Sequence, residues 1–169
     1  MHCQTPNNTW IINILRGKLI VIHLKEINWK NYRQCFALKI SEKQKKNHSV
    51  ASNVAILART YAYRNDGSCA YAIYNDGVMV GLLMYRDWGE VPKSYVLDQF
   101  MIDEHFQGKG YGKEAIHLIL EIMKNEGKYN RVELGCSREN VDAMKFYESC
   151  GFYYSGDDYE DEIGMALDF

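Results

Sequence analysis

Gln107-Gly108-Lys109-Gly110-Tyr111-Gly112 stands between a strand-like run, Ser94 to Ile102, and a helical pattern in which Ile116, Ile119, Leu120 and Met123 recur. Glycine tolerates positive φ and close backbone approach, so alternating glycines let successive N–H groups converge on one anion. The helix start behind them adds the positive end of its dipole. The segment therefore reads as a cradle for a phosphate or pyrophosphate, with Lys109 and Lys113 as nearby charge. Two other phosphate motifs fail on spacing. A Walker A loop would need glycine where Gln107 stands and Ser or Thr where Glu114 stands. The dinucleotide pattern begins at Gly108 and Gly110 but meets Lys113 at its third glycine position. A glycine-rich turn alone would carry no ligand; its place before a helix argues for one.

Outward from this loop the elements alternate. Lys18 to Leu24 is a β-branched run suited to a buried strand, and Asn28 is a candidate cap for a helix with Trp29, Tyr32 and Phe36 on one face. A polar stretch, Ser41 to His48, precedes a second helical pattern of Val50, Val54, Leu57, Ala58 and Tyr61. Cys69 to Tyr74 and Val78 to Tyr85 flank Asn75-Asp76-Gly77, a tight hairpin signal. Beyond the glycine loop and its helix come a short strand, Arg131 to Cys136, and a helix with Ala143, Phe146, Tyr147 and Cys150 on one face, which Gly151 can end. Phe152 to Tyr154 and Ile163 to Phe169 read as a closing strand pair. The order is strand, two helices, three strands, helix, strand, helix, two strands, an α/β (α+β) sandwich without repeats. Residues 1–17 read as an N-terminal extension and residues 18–169 as one domain.

Composition narrows the classes. The chain has 169 residues, 47% of them hydrophobic, which suffices for one substantial core. A net charge of −2 offers no field for nucleic acid. No apolar run reaches membrane-spanning length. Cys3, Cys35, Cys69, Cys136 and Cys150 form no C-x-x-C pair and read as buried thiols in a cytoplasmic protein, with no metal site. Thirteen tyrosines beside strand-like segments suggest a partly aromatic pocket.

The segment Gln107 to Gly112 fits the coenzyme A signature Q/R-x-x-G-x-G/A of the GNAT superfamily of N-acetyltransferases. The run Leu97-Asp98-Gln99-Phe100-Met101-Ile102-Asp103-Glu104 resembles that family's fourth strand. Asn140-Val141-Asp142-Ala143-Met144-Lys145-Phe146-Tyr147, ending in Gly151-Phe152, is similar to its N-x-x-A-x-x-x-Y…G-F motif. The likeness covers about Lys18 to Phe169, and within the superfamily it leans toward bacterial spermine/spermidine and diamine N-acetyltransferases. It implies a mixed, mostly antiparallel sheet of six to seven strands flanked by about four helices.

It also implies acetyl-coenzyme A as co-substrate, held by Gln107, Gly108, Lys109, Gly110, Tyr111, Gly112, Lys113 and Asn140, with backbone N–H groups near Met101 and Ile102 stabilising the tetrahedral intermediate. Tyr147 matches the general acid; by periodicity alone it is a core tyrosine. Asp98 interrupts an apolar strand, where aspartate is disfavoured. It is read either as a solvated edge residue or, by the resemblance, as the carboxylate that faces a cationic amine. Asp157, Asp158, Glu160, Asp161 and Glu162 crowd one turn, ordinarily a solvated loop but able to attract a polycation. The acceptor is read as a small-molecule amine, with no nucleic-acid or membrane partner and a homodimer left open. A protein N-terminus, a lysine, an aminoglycoside and a non-catalytic coenzyme A sensor are the rivals.

Overall fold

The computed structural model describes residues 10–15, 18–42, 44, 52–91 and 93–169, with side chains described from Ile20 onward except Tyr159. In chain order the elements are β1 (Trp10–Leu15), β2 (Lys18–Glu26), α1 (Tyr32–Cys35), α2 (Asn53–Ala62), β3 (Cys69–Asn75), β4 (Val78–Trp88) and β5 (Ser94–Ile102). A 3₁₀ turn (Glu104–Phe106) then leads to α3 (Tyr111–Glu126), β6 (Arg131–Ser137), α4 (Val141–Ser149), β7 (Tyr153–Tyr159) and β8 (Glu162–Asp168). One sheet holds all the strands in the order β1-β2-β3-β4-β5-β6-β8-β7, antiparallel throughout except for the parallel pair β5–β6.

The mixed, mostly antiparallel architecture is as expected, with one strand more. Trp10–Leu15, read as part of an extension, pairs with β2 from Leu15↔Lys18 to Trp10↔His23. The likeness begins at Lys18 and so stops short of this strand, although the run Trp10-Ile11-Ile12-Asn13-Ile14-Leu15 is rich in β-branched residues. The other residues of that stretch, and Val50 and most of the polar run before it, lie outside the described residues. The hairpin forms as the sequence predicts: Asp76 and Gly77 adopt φ of 47° and 78° between the paired Asn75 and Val78. Positive φ at both central residues matches the twist of the flanking strands.

Helices cover both faces. On one, Ile116, Ile119 and Met123 of α3 pack against Tyr71, Tyr85 and Tyr95. On the other, Cys35 of α1 and Ile56 of α2 pack against Leu82, Met84 and Met101. These three tyrosines serve the core: Tyr71 stacks on Tyr85 at 6.2 Å, and Tyr85 meets Tyr95 edge-on at 6.1 Å. The Tyr95 hydroxyl donates to Met123 C=O and accepts from Lys128 N–H, which removes the cost of burying it.

Two expectations about the first helices shift. α1 is one turn long and buries Cys35, leaving Trp29 and Phe36 79% and 51% exposed. The Asn28 side chain accepts from Lys30 N–H within a turn, and the helix starts after Asn31. α2 buries Ile56 while Val54 and Tyr61 stay exposed, because apolar residues on several sides define no unique face. Ser52 caps α2 by accepting from Ala55 N–H. Of the expected thiols, Cys35, Cys136 and Cys150 are free and buried, whereas Cys69 is disulfide-bonded. Irregular spacing says nothing of which cysteines the fold brings together.

Asp103 ties the end of β5 to its surroundings. Its carboxylate accepts from Lys39 N–H at 2.7 Å and His105 N–H at 2.9 Å, while its own N–H donates to Val80 C=O. Burial alone would raise this carboxyl, but those bonds and the adjacent His105 ring hold it below the ordinary aspartate range. The native state then binds its proton less tightly than the unfolded chain, so the contribution is full above about pH 4 and fades in more acidic solution. Replacing Asp103 by Ala should cost about 1–3 kcal/mol at neutral pH. The difference in melting temperature between the two proteins should shrink on acidification below about pH 4; a gap unchanged from pH 7 to pH 3 would refute it.

Candidate active site

β5 and β6 pair only at Tyr95↔Val132 and Val96↔Glu133, then part. Each keeps its outer partner: β5 stays on β4 as far as Ile102↔Gly81, and β6 on β8 as far as Ser137↔Glu162. A gap therefore opens toward the C-terminal ends of the two strands. It leads into a cavity of about 980 Å³, walled by Phe100 and Ile102 of β5, Gly135 and Cys136 of β6, the glycine loop, and Phe146 and Tyr147 of α4.

A bulge aims the β5 wall. Met84 pairs with Gln99 and Tyr85 with Leu97, which leaves Asp98 as the extra residue. The alternation reverses there. Tyr95 and Leu97 face the α3 core before the bulge, and Phe100 and Ile102 face it after. Met101 turns to the opposite core. The Asp103 N–H is given to Val80 C=O, so alternation puts the Met101 N–H on the β4 side and the Ile102 N–H toward the gap. Of the two amides read as stabilising an intermediate, Ile102 has that orientation.

The loop is built as its glycines require. Gly108 and Gly110 have φ of 71° and 85°, and Gly110 opens α3. The first helical bond runs from Glu114 N–H to Gly110 C=O, so the N–H groups of Tyr111, Gly112 and Lys113 have no intrahelical acceptor. A side chain at Gly112 would press on the Phe146 ring at 3.4 Å. Gln107 lines the cavity, and its side-chain amide donates to Ile102 C=O at 2.8 Å and to Gln44 at 2.9 Å. Lys109 is turned back onto His105 C=O and the Phe106 ring. The Tyr111 ring is buried, with its hydroxyl accepting from Asn75, so that residue offers only its main chain. Lys113 is exposed at the cavity wall and has no ion pair among the described residues.

α4 supplies the remaining expected groups. Asn140 caps it by accepting from Ala143 N–H at 3.2 Å, on the cavity wall. Tyr147 packs edge-on against Phe146 and Phe152. Its hydroxyl makes no hydrogen bond among the described residues, and burial, then Cys136 and Cys150, push its phenol well above the ordinary value. It is protonated at neutral pH and free to donate.

The profile of the acetyltransferase (GNAT) family matches residues 24–152. This chain belongs to the GNAT family. A Bacillus subtilis spermine/spermidine N(1)-acetyltransferase is 31% identical over 100 residues, 56% of this chain and 66% of that protein. The ribosomal-protein α-N-acetyltransferase RimL, solved with coenzyme A, superposes with a TM-score of 0.71 at 16% identity, over 88% of this chain and 94% of that one. A Vibrio cholerae spermidine N-acetyltransferase, solved with coenzyme A and spermine, gives 0.68 at 18% identity, over 86% and 94%.

Two expected site residues of this GNAT chain lie off the cavity wall, Met101 in the opposite core and Asp98. Asp98 does not line the cavity; the bulge turns it to the α1/α2 side, where Arg59 Nε lies 3.1 Å and Arg86 Nε 3.5 Å from its carboxylate. Arg86 in turn lies over the Tyr63 and Trp88 rings. Two guanidiniums already engage that charge, a partnership no local spacing announces. Cys136, expected only as a buried thiol, also lines the cavity, and burial pushes its thiol up to about 11 with a smaller contribution from Glu162. Its signal was present in the alternation of Val132, Leu134 and Cys136 toward one core. Among the described residues, no cluster of three or more His, Cys, Asp or Glu could hold a metal, and no helix is long and apolar enough to cross a membrane.

Gly110→Val would force a β-branched residue into φ of 85° and displace the first N–H groups of α3. Calorimetric titration should show acetyl-coenzyme A affinity falling at least ~10-fold, about 1.4 kcal/mol, with far-UV dichroism unchanged. Wild-type affinity would remove the loop from the binding site.

Proposed function

We propose that this GNAT chain transfers the acetyl group of acetyl-coenzyme A to a primary amine, and that the amine belongs to a polyamine such as spermidine or spermine. One observation carries the reading: the gap between β5 and β6 brings the N-terminus of α3 and the Tyr147 hydroxyl to the walls of a single cavity. The main chain of Tyr111, Gly112 and Lys113 would hold the pyrophosphate, with the Lys113 ammonium beside it and Asn140 on the opposite wall. What the co-substrate supplies is an activated thioester. The polyamine reading draws support from the 31% identity to a spermine/spermidine enzyme.

The groups of this chain divide the work. Ile102 offers its N–H to the carbonyl oxygen as negative charge gathers there, a donor already fixed in the sheet. The amine nitrogen bonds to the thioester carbon and the carbon–sulfur bond breaks. The ammonium loses one proton to solvent before attack; Tyr147 gives its proton to the departing sulfur, and the second nitrogen proton, released as the intermediate collapses, passes through water to the tyrosinate and restores the phenol. The amine reaches the gap mainly as an ammonium ion, since an aliphatic amine has a pKa near ~10.4.

Tyr147→Phe should keep acetyl-coenzyme A affinity and lower kcat by ~10²–10⁴-fold, the usual range for one general acid. Coenzyme A release measured against spermidine, a monoamine, an aminoglycoside and an N-terminal peptide tests both levels of the reading. A preference for peptide or aminoglycoside would overturn the polyamine assignment alone. Release with none of the four would overturn the acetyltransferase reading, and an undiminished Tyr147→Phe rate would return that residue to the core.

A further inference from the structure

Val132, Leu134 and Cys136 turn one side of β6 into the core under α3, so Gly135 faces the other side of the sheet. Asp98 is turned to that same side by the bulge. Across the gap from Asp98, β8 begins with Glu162, paired with Ser137. Its side chain reaches diagonally over Gly135: a Cβ there would fall 2.4 Å from Glu162 Oε2. The missing side chain at 135 is what lets this carboxylate reach the wall of the gap, and Glu162 lines the cavity together with Cys136 and Tyr147.

The two carboxylates differ in what already holds them. Asp98 stands between the Arg59 and Arg86 guanidiniums. Glu162 has no ion pair among the described residues, and Arg138, on the segment that follows β6, pairs with Asp158 at 2.7 Å instead. An ammonium ion entering the gap from this side finds one partner whose charge is balanced twice over and one whose charge is open. Glu162 is exposed where it lines the cavity, so it meets an incoming cation through water, and salt will screen that attraction.

We propose that Glu162 binds the ammonium of the acceptor amine beside the reaction centre and so selects cationic acceptors, while Asp98 and its two arginines brace the bulge of β5. This rests on the acetyl-transfer reading and assigns the acceptor side of the same site.

The test separates the two. Spermidine is titrated calorimetrically into the protein saturated with coenzyme A, for wild type, Glu162→Gln and Glu162→Asp. The isosteric Glu162→Gln should weaken spermidine binding at least 10-fold and raise its KM more than it lowers kcat. Glu162→Asp should recover part of the loss, and acetyl-coenzyme A affinity and melting temperature should stay at wild-type values in both. Equal spermidine affinity in wild type and Glu162→Gln would overturn the assignment, as would a loss of spermidine and acetyl-coenzyme A binding together. Failure of wild type to bind acetyl-coenzyme A at all would instead strike the acetyl-transfer reading, which that separate titration reports.

Discussion

The site depends on a pairing that stops. β5 and β6 share two residue pairs and then part, although each remains in register with its outer neighbour. Backbone donors and acceptors along the inner edges are left without a strand, and such groups are costly when they are both buried and unpaired. The structure answers this partly with its own side chain, since Gln107 donates to Ile102 C=O. What remains is an edge able to pair with the extended amides of a ligand. The same geometry sets where the positive end of a helix dipole stands. α3 is the crossover between these two parallel strands, so its N-terminus must start from the end of β5, at the mouth of the gap.

The bulge at Asp98 gives the sheet two chemically different sides at that gap. A regular strand would carry the Tyr95–Leu97 alternation onward to Gln99 and Met101, and Phe100 and Ile102 would face α1 and α2. One inserted residue reverses this, so Phe100 stacks on Phe146 with ring centroids 5.8 Å apart. It also delivers Asp98 to Arg59 and Arg86 on the far side. One side is therefore aromatic and thiol-bearing, suited to an apolar arm and a sulfur. The other carries carboxylates and guanidiniums, suited to a charged acceptor. The reactants would meet through the sheet from its two sides.

Much of this was legible beforehand, for reasons that can be stated residue by residue. Gly108 and Gly110 announce positive φ because few other residues accept it. Asp76-Gly77 announces its turn likewise, and the α3 stripe of Ile116, Ile119 and Met123 carries a helical period over many residues. Local backbone demands leave local marks. Asp98 was noticed for the right reason, an acid in an apolar strand, yet its partners lie on a helix and a strand distant in sequence, where no local pattern points. Glu162 was hidden differently, as one acid in a run of acids. Only the register of β8 on β6, and the absence of a side chain at Gly135, distinguish it from its neighbours. The edge strand β1 carries a mark in its isoleucine-rich run, but the family likeness starts at Lys18 and left it outside the domain.

Cys136 gauges the proton transfer that the cavity must support. Its thiol rises from 9.0 to about 11 mainly because burial penalises the thiolate. A coenzyme A sulfur leaving beside it would meet the same penalty and become a stronger base than in water. Tyr147 is pushed up by the same burial, which makes it a poorer acid toward water. The relevant comparison, however, is between two groups in one environment, and desolvation raises both. The distance in acidity between phenol and thiol is therefore set less by their separate shifts than by the difference between them. Half-buried Tyr147 and buried Cys136 are raised together, the phenol the more, so burial by itself does not bring the two closer in acidity. Partial burial against Phe146 and Phe152 keeps the Tyr147 phenol protonated at neutral pH, the state that a proton donor would need.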